Sequence, residues 1–113
     1  MRGKTREHIR PLPGIPGADL LVRLETERNE LVAYAVVLRV FEQGQPRPVR
    51  LYDYVPAHGA HHLHRYTRTG AKQQPPEVLR HPTVQRGFDS AIDQIRASAD
   101  EMIESWRRQS TRS

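Results

Sequence analysis

At 113 residues the chain has room for one domain with a small core, and it holds no cysteine, which excludes a disulfide scaffold and a thiolate zinc site and suits a reducing cytoplasm. The formal net charge of +5 is unevenly spread: +3 over residues 1–18, −2 over 19–42, +5 over 43–86 and −1 over 87–113. A localised positive surface of this kind attracts polyanions, which makes a nucleic acid an expected partner. No apolar run approaches the roughly 20 residues of a membrane span, and the start lacks the hydrophobic region of a secretory signal, so a cytoplasmic protein with no membrane partner is expected.

Pro11, Pro13, Gly14, Pro16 and Gly17 make residues 1–18 a poor candidate for helix or strand, and they read as a flexible basic arm preceding a single domain over 19–113. In "DLLVRLETER" the alternation places Leu20, Val22 and Leu24 on one face and Arg23, Glu25 and Glu27 largely on the other, the pattern of a strand. After a turn at Asn29–Glu30, "LVAYAVVLRVF" sets Val32, Tyr34, Val36, Leu38 and Val40 against the small or slighter Ala33, Ala35 and Val37, as in a central strand. A turn at "EQGQPRP" leads into "VRLYDYV", where Val49, Leu51 and Val55 alternate with Arg50, Tyr52 and Tyr54. "PAHGA" breaks the chain and "HHLHRYT" runs on as a fourth strand, with "RTGAKQQPP" read as loop.

The helix signal is the strongest in the chain. Phe88, Ala91, Ile92, Ile95, Ala99, Met102, Ile103 and Trp106 recur at steps of three and four and give one apolar stripe. Ser90 with Asp93 would cap a late start and Thr83 an earlier one. The expected fold is α+β: a three- to four-stranded antiparallel sheet covered on one face by a long C-terminal amphipathic helix. With so small a core, a homodimer is compatible with the pattern.

Four of the six histidines fall in "HGAHHLHRY", residues 58–66. On a strand, residues two apart share a face roughly 6.5–7 Å apart, so His62, His64 and Tyr66 line one face and His61, Leu63 and Arg65 the other. If Leu63 points into the core, His62, His64 and Tyr66 face water, and His61 and Arg65 reach the rim. Three chemistries use this window. In the first, His62 and His64 act as an acid–base pair, Asp53 orients one imidazole, and Arg65 and Tyr66 contact a phosphate. In the second, a zinc-like divalent metal is held by His62 and His64 with His58 folding back from the turn as third ligand, Asp53 being the other donor within reach. In the third, Arg50, Arg65, Arg68 and Lys72 with Tyr52, Tyr54 and Tyr66 bind single-stranded nucleic acid without chemistry. Histidines that merely blunt an edge strand are the structural alternative. No cofactor is the first expectation. There is no glycine-rich phosphate loop, no G-x-S-x-G and no H-E-x-x-H. Asp89 and Asp93 stand one helical turn apart on what reads as a solvated acidic face.

In "YD" at 52–53, "HG" at 58–59 and "HHLHRY" at 61–66, the chain resembles small prokaryotic toxin–antitoxin-associated proteins related to TumE, with sister families of unknown function. The resemblance implies a small cytoplasmic toxin-like protein acting on RNA, an antitoxin protein as partner, and Asp53, His58, His62 and His64 as the positions of interest. A non-catalytic nucleic-acid- or partner-binding module is the alternative.

Overall fold

The computed structural model describes residues 3–109. Six strands, β1 (Lys4–Pro11), β2 (Ala18–Glu27), β3 (Glu30–Glu42), β4 (Gln45–Val55), β5 (Ala60–Arg65) and β6 (Glu77–Leu79), precede one helix, α1 (Val84–Arg107). The strands form an antiparallel meander in sequence order. The fold class is therefore the α+β one expected, but the sheet has six strands instead of three or four.

One additional strand, β1, comes from the arm that sequence patterning reads as irregular, and the other, β6, from the stretch just after the "RTGAKQQPP" loop, where no element is expected. Residues 4–11 of the expected arm pair throughout with β2, from Lys4 opposite Thr26 to Pro11 opposite Asp19. Of the prolines and glycines that argue against structure, Pro11 is the last residue of β1 and the others lie in the β1–β2 turn, where Gly14 and Gly17 adopt φ of 85° and 75°. An edge strand needs little apolar content, and β1 is mostly exposed. The short β6 closes the other edge, with Leu79 opposite His61 and Glu77 opposite Leu63.

The core lies between the helix and one sheet face. Leu20 and Val22 of β2 and Tyr34, Val36, Leu38 and Val40 of β3 are all buried there, as their alternation predicts. On β4, Tyr52, only 1% exposed, joins this core opposite Val36 and Leu63, while Leu51, Asp53 and Val55 share the face turned from the helix. Simple alternation from Val49 would set Val49 and Leu51 on one side. A bulge intervenes: Arg39 pairs with Pro48 and Leu38 with Arg50, so Val49 is the extra residue and packs into the core itself.

Thr83 caps the helix, its Oγ1 accepting from the Arg86 amide at 3.0 Å, which selects the earlier of the two expected starts. All eight residues of the apolar stripe are buried. One further helix residue, Gly87, is buried because the sheet comes too close for any side chain: a Cβ there would overlap the His61 ring and the Tyr34 hydroxyl. Replacing a helix-interior glycine by alanine normally adds about 1 kcal/mol of stability. Here Gly87→Ala is expected to destabilise the protein by about 1–3 kcal/mol through overpacking. Urea denaturation measures the sign, and a stabilised variant would contradict the close approach.

Candidate functional site

The β4–β5 hairpin assembles the site on the sheet face that the helix leaves open. Asp53 lies directly across from His62, and Leu51 across from His64. Cross-strand neighbours bring their Cβ atoms to roughly 5 Å, so one carboxylate and two imidazoles share a small area. His64 Nε2 stands 3.7 Å from Asp53 Oδ1, and one donor atom from each of Asp53, His62 and His64 lies within 4.8 Å of the others. The two imidazole rings are 5.9 Å apart between centroids. Among the described residues this is the group of histidines and acids that converges closely enough to hold one metal ion.

His58 does not belong to that donor set. It sits in the turn beyond the last paired position, its amide donating to the Val55 carbonyl at 2.9 Å, and its ring meets His62 edge-on at 6.2 Å. The expected trio His58, His62 and His64 is thus replaced by Asp53, His62 and His64, because strand pairing holds Asp53 closer to the pair than the turn holds His58.

The site is sheltered. The His64 and Asp53 side chains are 13% and 19% exposed, and His64 Nδ1 is buried without a hydrogen-bond partner among the described residues. Burial lowers the pKa of His64, Lys72 and His62 lower it further, and Asp53 opposes them. The imidazole is therefore neutral at pH 7, the form that binds a metal or accepts a proton. Tyr66 pairs through an isolated bridge with Lys72, which brings this lysine from the following loop to the edge of the cluster. Burial and then the Asp53 carboxylate raise the Tyr66 pKa, so its phenol keeps its proton and is a donor.

Other expected site residues are placed elsewhere. Arg65 belongs to the opposite face, with Arg50 as its cross-strand partner, and donates to Glu77 at 2.9 Å in an exposed ion pair. Arg50 lines a hollow against Gln94, Ser98 and Met102 of the helix. Arg68 bonds Glu42 at 3.0 Å and lies 4.0 Å over the Trp106 ring. Of the four cations expected to hold nucleic acid, Arg50, Arg65, Arg68 and Lys72, only Lys72 stands beside the histidines. The surroundings also add what the sequence reading did not single out: a hollow of about 310 Å³ beside Asp53, floored by Ala33 and Ala35 and bordered by Arg23. Its one signal in the sequence is the run of small residues on the second face of β3.

His61 is expected at the rim and is instead 5% exposed beneath the helix. Its Nδ1 is 2.7 Å from the Tyr34 hydroxyl, and Tyr54 and His81 pack on it at 4.7 and 5.0 Å. Burial, then Asp53, push the Tyr34 pKa up, so the phenol keeps its proton and shares one hydrogen bond with His61 Nδ1. Burial, then His81 and His62, lower the His61 pKa. Because the folded values of His61 and His64 lie below the ordinary value, the unfolded chain takes up protons that the folded one refuses. Stability should be retained above about pH 6.5, the ordinary histidine value, and fall as the pH drops below it. Melting temperatures between pH 7.5 and 5.5 measure this, with a shallower slope expected for His61→Gln. A slope of the opposite sign would contradict the assignment.

No helix among the described residues is long and apolar enough to cross a membrane. Comparison with known proteins finds no match among curated proteins and none among solved structures. A family model does match, over residues 6–112, and so takes in every strand from within β1 onward, the Asp53–His62–His64 group and the helix. The chain belongs to that family, a domain of unknown function designated DUF7718.

Proposed function

We propose that this protein acts on RNA, cleaving a phosphodiester at the open sheet face with Asp53, His62 and His64 as the reactive group. The observation that carries the reading is the convergence of those three donors beside a cation and a phenol on an uncovered, half-sheltered surface. Cleavage at phosphorus needs an attacking oxygen made more nucleophilic and a phosphate whose added charge is stabilised. The Asp–His–His group supplies the first. The Lys72 ammonium and the protonated Tyr66 phenol, at its edge, supply the second. The net charge of +5 over residues 43–86 favours approach of a polyanion to the molecule, and Lys72 is the cation of that segment at this point, Arg50, Arg65 and Arg68 standing elsewhere.

Geometry bears on the alternative of a non-catalytic binding module. A stacking platform requires its aromatic and cationic side chains on one exposed surface. Tyr52 is buried under the helix, Arg50 faces that helix, and Arg68 is engaged by Glu42 and Trp106. The residues such a platform would use are thus divided between two faces, whereas those of the cleavage reading converge. The likeness to TumE-related proteins adds a biological setting to the proposal, a toxin restrained by an antitoxin partner.

Purified protein incubated with end-labelled RNA tests the reading. Cleavage is expected, with His62→Ala/His64→Ala lowering the rate by at least ~100-fold and Lys72→Ala by a smaller factor, while Arg65→Ala stays within about threefold of the parent, since its exposed ion pair with Glu77 carries little energy. Growth arrest on expression, relieved by the double histidine variant, would support the toxin setting. RNA bound but uncut would shift the assignment to a binding module, and RNA neither bound nor cut would overturn it.

A further inference from the structure

We infer that Asp53, His62 and His64 form a three-ligand site for a divalent transition metal of zinc type, with the fourth coordination position open toward solvent. The site itself stands on donor geometry; its part in RNA cleavage rests on the reading above.

The first argument is distance. Zinc bonds imidazole nitrogen and carboxylate oxygen at about 2.0–2.2 Å, so the donors around a tetrahedral ion lie roughly 3.3–3.6 Å from each other. His64 Nε2 and Asp53 Oδ1 are already 3.7 Å apart, and no donor of the three exceeds 4.8 Å from another. Closing the remainder takes small side-chain rotations and no movement of the paired strands, which fix the Cα positions. The second argument is an uncommitted nitrogen. His64 Nε2 faces Asp53 from beyond hydrogen-bonding distance and makes no hydrogen bond to the described residues, so it is open to a metal. Nδ1 is buried without a partner among the described residues and stays so when a metal binds Nε2.

The donor set narrows the ion. Two imidazoles and one carboxylate suit zinc and its neighbours, cobalt and nickel, whereas calcium and magnesium prefer oxygen-only shells and copper(I) prefers sulfur. One carboxylate against a doubly charged ion leaves a net positive centre, and Lys72 at the edge of the cluster adds to it. The fourth position therefore favours an anion: hydroxide from bound water, or a phosphate oxygen. Three protein ligands with one open place is the arrangement of catalytic zinc, distinct from the closed four-ligand arrangement of structural zinc.

The test is binding of cobalt(II) and zinc(II) to the chelator-treated full chain, followed by cobalt absorption in the visible range and by titration calorimetry. One equivalent is expected to bind, with a low-coordinate cobalt spectrum. Asp53→Asn and His64→Gln, both checked for fold by circular dichroism, should each weaken binding by more than ~10-fold, the least that loss of a direct ligand implies, while His58→Ala leaves it unchanged. Absence of one-equivalent binding, or equal binding by the Asp53 and His64 variants, would overturn the site. Loss on His58→Ala with retention on Asp53→Asn would overturn the ligand assignment. RNA cleavage measured with and without EDTA separates the two proposals. Cleavage undiminished in EDTA would overturn the metal's role and leave the RNA reading standing. One-equivalent metal binding without any cleavage would overturn the RNA reading and support the metal site.

Discussion

The register of the β4–β5 hairpin is the constraint on which the rest depends. Side chains on a strand alternate with period two, so a slip of one residue would exchange the two faces of the whole segment. The observed pairing, Tyr52 with Leu63 and Asp53 with His62, puts an aromatic and an aliphatic side chain into the core and a carboxylate and an imidazole outside it. The opposite register would bury Asp53, His62 and His64 under an apolar helix, where their polar atoms lack partners. The hydrophobic demand of Tyr52 and Leu63 thereby fixes the position of the Asp53–His62–His64 group. Core and site are two results of one pairing.

The helix completes the separation. Its buried stripe closes over β2, β3 and β4 and leaves the reverse face of the sheet free. Gly87 permits its first turns to lie directly on His61, and the Tyr34 hydroxyl shares a hydrogen bond with that imidazole. Two adjacent histidines thus have unrelated duties. His61 is a hydrogen-bonded member of the packed layer, and His62 stands among the converging donors. They differ only in parity along one strand.

Much of this was legible in the sequence, and the failures have identifiable causes. The helix stripe and the core faces of β2 and β3 follow from long, regular periodicities that no local irregularity interrupts. β4 has no such regularity, since the bulge at Val49 breaks the alternation and no residue type announces it. β1 was missed because an exposed edge strand carries charged residues on both faces, and prolines only a few residues away gave the stronger local signal. Alternation did place His62 and His64 together. It also places Arg65 with His61 on the other side, so Arg65 was never compatible with the same site on one strand. Lys72 reaches the cluster through a bridge to Tyr66, six residues before it, inside a segment whose composition reads as loop.

The strict meander has a consequence for how the protein is made. Every strand pairs with the strand before it in the chain, so the sheet can be built progressively, with short loops to close and little entropy lost at each step. The helix that shields Leu20, Val22, Val36 and Leu38 follows all six strands. During synthesis those apolar side chains therefore lack their cover until residues 84–107 have left the ribosome. The interval is one of exposure to aggregation.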